Sequence, residues 1–217
     1  MNGDAISIRP AVDFAWRTFK RRCDLFVAIL LTTFAGWVAL EAVVIAGHRL
    51  GIVLWVAAHL AFLIFFASIQ VGFLRICLAL HDGREPAFTD IFAPLPISLQ
   101  FLAGQVVYLL MVVVGTALLI VPGAYLGTRY SLFAFCTSST DLRLAGSFKR
   151  SAKLTAGRMS TLFSILVALF LFNVAGASLI GVGLFVTVPV SVLVMTAVDR
   201  QLSTTRQVED IGRDGQI

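Results

Sequence analysis

Charge is scarce in this chain. Asp, Glu, Lys and Arg make up 13% of its 217 residues, and 59% are apolar. An ordinary soluble domain carries about 25% charged residues. So few charges leave little from which to build a soluble domain. Cysteine is sparse as well. Cys23, Cys77 and Cys136 are widely spaced, and an odd count with no CxxC and no Cys/His cluster excludes a disulfide framework. They read as small apolar packing residues. Catalytic signatures are missing too: there is no HExxH, GxSxG, Walker or GxGxxG motif, and no serine has a histidine in a suitable setting. The sequence therefore points to no enzyme, metal site or cofactor. The alternation of apolar and polar residues that marks barrel strands is also absent.

What is present is long apolar runs, such as 62–66 and 166–172. A helix crossing the hydrocarbon core needs about 20 mostly apolar residues. Only helices satisfy the backbone of such runs in lipid. The expected fold is all-α: a polytopic helical membrane bundle of about six transmembrane segments with amphipathic surface helices. The spans fall at about 25–46, 52–80, 99–121, 123–137, 161–179 and 184–198. They form a single domain over 1–200, followed by a polar tail, 201–217. Chain from Asp199 onward is expected to fray.

Between the spans lie short polar stretches. Pro10 suits the first turn of a helix, and Val12, Ala15, Trp16 and Phe19 then recur at helical spacing beside Arg17, Lys20, Arg21 and Arg22. This predicts an amphipathic helix on the membrane surface with Trp16 near the headgroups. His48, Arg49 and Gly51 form a short connection. Residues 81–86 are a loop, followed by one short turn at 88–92 that Pro94 and Pro96 close. Pro122 and Gly123 mark a helix break. The break reads either as a tight hairpin with a short return helix or as one long kinked helix. Ser138, Ser139, Thr140 and Asp141 offer capping oxygens for a basic amphipathic helix that ends near residue 160. Gly181 and Gly183 make the last turn.

Basic residues set the orientation. With six spans both termini share a side, and of the 17 Lys and Arg only Arg49 and Arg129 fall away from it, which leaves 15. The positive-inside rule makes that side the cytoplasm.

Four stretches carry a family resemblance. They are Ala15-Trp16 with Phe19-Lys20; Gly83-Arg84-Glu85-Pro86 leading to Phe88, Asp90, Ile91 and Phe92; 118–126 with Arg129 and Tyr130; and 147–155 with Gly157-Arg158. Over about residues 8–200 the chain resembles a widespread set of bacterial multi-pass membrane proteins of unknown function. These include YciC-like inner-membrane proteins and the membrane domain that precedes the catalytic domain of some glycerophosphodiester phosphodiesterases. The resemblance implies a helical module of the bacterial inner membrane and no phosphodiesterase activity.

Arg129 is the most informative single residue. An Arg near the bilayer centre costs about 2.5–3.5 kcal/mol on insertion scales. Glu41, the one acid inside a predicted span, is its expected partner; the alternatives are lipid phosphate or a solute. Gly123 and Gly127 form a GxxxG, read chiefly as a turn feature rather than a helix contact. His59, Gln70, Gln105 and Asn173 read as interhelical hydrogen-bonding groups. Lys149, Arg150, Lys153 and Arg158 are placed to attract anionic lipid. The expected role is a non-enzymatic accessory, scaffold or lipid-interacting module. Its partners are membrane lipids and a protein partner or further copies of the chain, with no nucleic acid. A small transporter or channel with a polar site around Glu41 and Arg129 is the alternative.

Overall fold

The computed structural model describes residues 6–139, 143–178 and 183–214, and among them there is no strand. Helix α1 (Ile8–Arg21) carries Pro10 in its first turn, where a missing N–H does no harm. α2 (Cys23–Leu50) and α3 (Ile52–His81) run antiparallel and turn at Gly51, whose φ of 123° suits glycine. The connection after α3 does not simply lead on to the next span. It folds back along α3, so that the 3-10 turn Phe88–Ile91 lies against Gly72 and Ser68 Oγ donates to the Ala93 carbonyl at 3.0 Å. α4 (Leu95–Leu118) starts there. α5 (Ile120–Arg129), α6 (Phe133–Ser139), α7 (Leu144–Thr155), α8 (Met159–Ser178) and α9 (Leu184–Asp214) complete the chain.

Five of these helices are long and apolar enough to cross a bilayer: Cys23–Gly47, Ile52–His81, Leu95–Leu118, Met159–Ser178 and Leu184–Val208. Large apolar side chains stand exposed along them, including Phe34, Ile45, Leu110 and Phe170. So much exposed apolar surface calls for lipid rather than water. The chain is an all-α helical bundle of multi-pass membrane type.

The region expected to form the fourth span, 123–137, is not one helix. It lies across α5 and α6, of 10 and 7 residues, separated at Tyr130–Leu132. At 1.5 Å per residue α5 covers about 15 Å, half the hydrocarbon core. The break expected at Pro122 and Gly123 lies earlier. Leu119 is extended (φ −165°, ψ 146°), and Pro122 is the third residue of α5, where its lost N–H has no intrahelical partner to miss. The chain reverses at Leu119 and α5 runs back along α4: Gly123 packs on Gly115 and Thr116, and Tyr108 Oη donates to the Gly127 carbonyl at 3.0 Å. Gly123 thus serves close helix approach, while Gly127 supplies the carbonyl that the Tyr108 hydroxyl reaches. Neither has a positive φ, so neither supplies turn conformation.

Two further expectations need correcting. The chain after Asp199 does not fray, because α9 continues to Asp214. Leu202 is buried with Leu154 and Leu162, and Arg206 Nη2 donates to the Ala156 carbonyl at 2.6 Å, so this part of the helix has its own packing. Nor is the apolar face of α1 given wholly to the membrane surface. Ala11, Ala15 and Phe19 share a cluster with Val190, Leu193, Val194 and Ala197 of α9, while Ile8, Val12 and Trp16 remain exposed. α9 is the central helix. One side meets α1, and the other packs Met195, Val198 and Leu202 among Leu74 and Leu78 of α3 and Leu162 and Ile165 of α8. The capping expected of Thr140 and Asp141, the turn expected at Gly181 and the last residues of the tail, 215–217, lie outside the described residues.

Candidate functional site

The folded-back connection between α3 and α4 creates the most built polar site. It roofs a chamber of about 530 Å³ against the ends of α3 and α6 and the middle of α9, lined by Arg75, Arg84, Thr89, Asp90, Ser138 and Arg200 among others. Each charged side chain is held by its own element. Arg75 projects from α3 and its Nε donates to the Ser138 carbonyl at 3.3 Å, the one polar partner it has among the described residues. Asp82, just past the end of α3, receives two guanidiniums on one oxygen: Arg84 Nη2 at 3.1 Å and Arg200 Nη2 at 2.6 Å. His81 Nδ1 stands 3.8 Å from its other oxygen. Asp90 accepts the Ala87 N–H at 2.9 Å and so shapes the roof. At the outer edge Arg22 and Glu85 pair at 3.2 Å. Ser7 and Gln201 exchange hydrogen bonds nearby, N–H to Oε1 at 3.1 Å and Nε2 to carbonyl at 3.3 Å, so the start of the chain and α9 meet at this end of the bundle. Next to Arg200, Asp199 is buried within the electrostatic reach of Arg150 and Arg200.

A second feature faces outward. α5 and α8 leave an apolar groove of about 460 Å³, lined by Ile120, Val121, Ala124, Tyr125, Thr128 and the first turn of α8. At the end of α5, beside Thr128, Arg129 lays its guanidinium along its own helix, with Nη1 2.5 Å from Tyr125 Oη and Cζ 5.7 Å from the ring centre. Its carbonyl, freed where α5 ends, accepts from Ser151 Oγ at 3.2 Å and Thr155 Oγ1 at 3.0 Å of α7. Small hydroxyl residues at i, i+4 and i+8 (Ser147, Ser151, Thr155) are fully buried and let α7 approach this closely.

The residues singled out from sequence fare unevenly. Glu41 and Arg129 are not brought together. Glu41 is exposed on α2, which packs on α1, α3, α9 and the 3-10 turn, while α5 packs on α4, α7 and α8. Equal depth in a bilayer does not make two helices neighbours, and no ion pair joins these two residues. Lys149 and Lys153 are exposed on α7; Arg150 is half-buried toward Asp199, and Arg158 lines a cavity with Ser7, His81 and Gln201. Asn173 makes the expected interhelical bond, donating to Ser191 Oγ at 2.8 Å, but His59 Nδ1 stays within α3, 3.0 Å from the Trp55 carbonyl. Of the chamber residues, Asp82 and Arg200 carry no role in the sequence reading, and Asp90 enters it only through the family resemblance. A signal was available in Arg75, a lone cation inside an apolar run, and in the Asp199–Arg200 pair that closes the last run. Comparison with protein-family models, with curated proteins and with solved structures found no match for this chain.

Proposed function

We propose that this chain is a non-enzymatic module of the bacterial inner membrane that acts through contact with membrane lipid, alone or in concert with a protein partner or further copies of itself. Arg129 carries the reading. It is a half-buried guanidinium at the end of an apolar helix, with a phenol and, among the described residues, no carboxylate beside it, next to an apolar groove. A cation placed so must pair, hydrate or snorkel. A phospholipid supplies both halves, an acyl chain for the groove and a phosphate for the guanidinium. The test is mass spectrometry of lipid that co-purifies with the chain in mild detergent. Anionic phospholipid is expected on the parent and on Arg129→Lys, which keeps the charge, and about tenfold less on Arg129→Leu, the effect of losing one charge-assisted contact. Equal lipid on Arg129→Leu would sink the reading.

The orientation proposed is cytoplasmic for both termini; the return arm α5–α6 and the hydrogen bonds between Ser7 and Gln201 support their lying on one side, and on the six-segment reading 15 of the 17 Lys and Arg fall there. Single cysteines in a cysteine-free background report it. Thr204→Cys should react with impermeant reagent only after the inner face is opened, and Ile52→Cys, which is 70% exposed, should react from outside. Reaction of both from one side would overturn the orientation.

A further inference from the structure

We infer that the chamber between the α3–α4 connection, the ends of α3 and α6 and the middle of α9 is a binding site for a phosphate-bearing anion, separate from the apolar groove near Arg129. The inference does not depend on that groove.

Three observations carry it. The first is unsatisfied donors. Arg75 uses only Nε, toward the Ser138 carbonyl, so both of its Nη groups remain without a protein partner among the described residues. Arg200 spends Nη2 on Asp82, while its Nε is buried with no acceptor among the described residues. Buried donors of this kind are otherwise nearly always paired, and guanidinium donors match phosphate oxygens in a two-point fork.

The second is charge. Asp82 is shared by Arg84 and Arg200. Asp90 lines the wall and has one oxygen occupied by the Ala87 N–H. Asp199 faces Arg150 and Arg200, and Arg22 and Glu85 cancel each other. Arg150 and Asp199 face each other beyond the lining; among the described residues that line the chamber or pair with its lining, three cations (Arg75, Arg84, Arg200) therefore stand against two carboxylates (Asp82, Asp90), an excess of one positive charge that an anion would complete. His81 adds to the excess when protonated.

The third is shape and support. The cavity of about 530 Å³ falls within the range of small-molecule sites, roughly 300–1,000 Å³. Its cations are pre-positioned: Arg84 and Arg200 by a common carboxylate, and Arg75 by a helix carbonyl. A solvated charged face would show no such bracing. Two sources present the same phosphoryl chemistry, a soluble phosphate ester entering from water past the exposed Arg84, or the headgroup of a lipid.

The experiment uses the full chain in nanodiscs. In phosphatidylcholine discs, the shift in unfolding temperature is titrated with inorganic phosphate against chloride at equal ionic strength. In a second arm, discs of phosphatidylcholine with phosphatidic acid are compared with phosphatidylcholine alone. Stabilisation by phosphate over chloride, weakened about tenfold in apparent affinity by Arg75→Gln and unaffected by Arg129→Leu, supports the site with a soluble ligand. Stabilisation in the phosphatidic acid arm alone, with the same dependence on Arg75, supports it with a lipid headgroup. No preference for phosphate in either arm overturns it, as does a preference that persists unchanged in both Arg75→Gln and Arg84→Gln. Should Arg75→Gln fail to fold, the exposed Arg84→Gln decides alone, and an unchanged response then overturns the site. Loss through Arg129→Leu in place of Arg75→Gln would assign the phosphate to the groove and remove it from the chamber.

Discussion

Gly72→Ala is expected to be among the most damaging single-methyl additions in this protein, lowering stability by about 3 kcal/mol or more. A Cβ at this position would overlap the carbonyl carbon and oxygen of Ile91 and crowd its Cα. The obstacle is backbone, so no rotamer change relieves it. The connection cannot move aside cheaply either. Ile91 is fully buried, Ser68 Oγ holds the Ala93 carbonyl, and Asp90 holds the Ala87 N–H. Gly104→Ala is the matched control on α4. There the nearest atoms, Leu144 Cδ1 at 2.9 Å and Phe133 Cε2 at 3.0 Å, are side-chain tips that can yield, so a loss of about 1 kcal/mol is expected. Thermal unfolding in detergent compares the two. Equal small losses would show that the α3–α4 connection does not rest on Gly72. Because Asp90 and Phe92 of that connection line the polar chamber, Gly72→Ala should also weaken whatever the chamber binds.

This dependence explains why the chamber was hard to read from sequence. Composition and unbroken apolar runs suffice for the helical class, since each span carries its own signal. The chamber has no such local signal. It exists because a polar connection turns back on α3, and that turn is set by one glycine meeting one carbonyl across 19 positions of chain. The split of the return arm into α5 and α6 was equally silent. Tyr130, Ser131 and Leu132 include neither Pro nor Gly, and apolar residues resume directly at Leu132–Phe135, so nothing there announces a helix end. Pro122 pointed to a break that the structure places at Leu119, because a proline in the first turn of a helix and a proline that ends one look alike in sequence. Arg129 was legible as a costly residue, but its partner was not. Depth can be estimated from position along a span, whereas adjacency needs the packing order of the helices. The tail beyond Asp199 was misread for the opposite reason. Its polarity is real, yet Leu202 at one turn's spacing from Val198 continues the buried face of α9, and that is enough to hold the helix together.

Gly123→Leu is the second substitution with a large expected effect, again about 3 kcal/mol. Along the α4–α5 hairpin the two helices touch at backbone distance. A Cβ on Gly123 would overlap Thr116 Oγ1 and come within 2.7 Å of the Thr116 nitrogen, and Gly115 opposite leaves no room beyond a glycine. α5 has only 10 residues, and along α4 it is held by this contact and by the Tyr108 hydroxyl at the Gly127 carbonyl. Leucine should splay the hairpin, tilt Arg129 away from the groove on α8, and expose the Arg129 carbonyl that Ser151 and Thr155 now cover. Gly127→Ala provides the contrast. Its nearest neighbours would be Tyr108 Oη and Val112 Cγ2, both at 3.7 Å, an ordinary contact, so it should be nearly neutral. The geometry can be read directly with cysteines at Val112 and Gly127 in a cysteine-free background. Those positions should cross-link in the parent and fail to do so when Gly123 is leucine. A pair that still cross-links, in a protein of unchanged stability, would mean that α5 is held by α7 and α8 rather than by α4. The lipid contact proposed for Arg129 would then have to survive Gly123→Leu as well, which makes co-purifying lipid the deciding measurement for both.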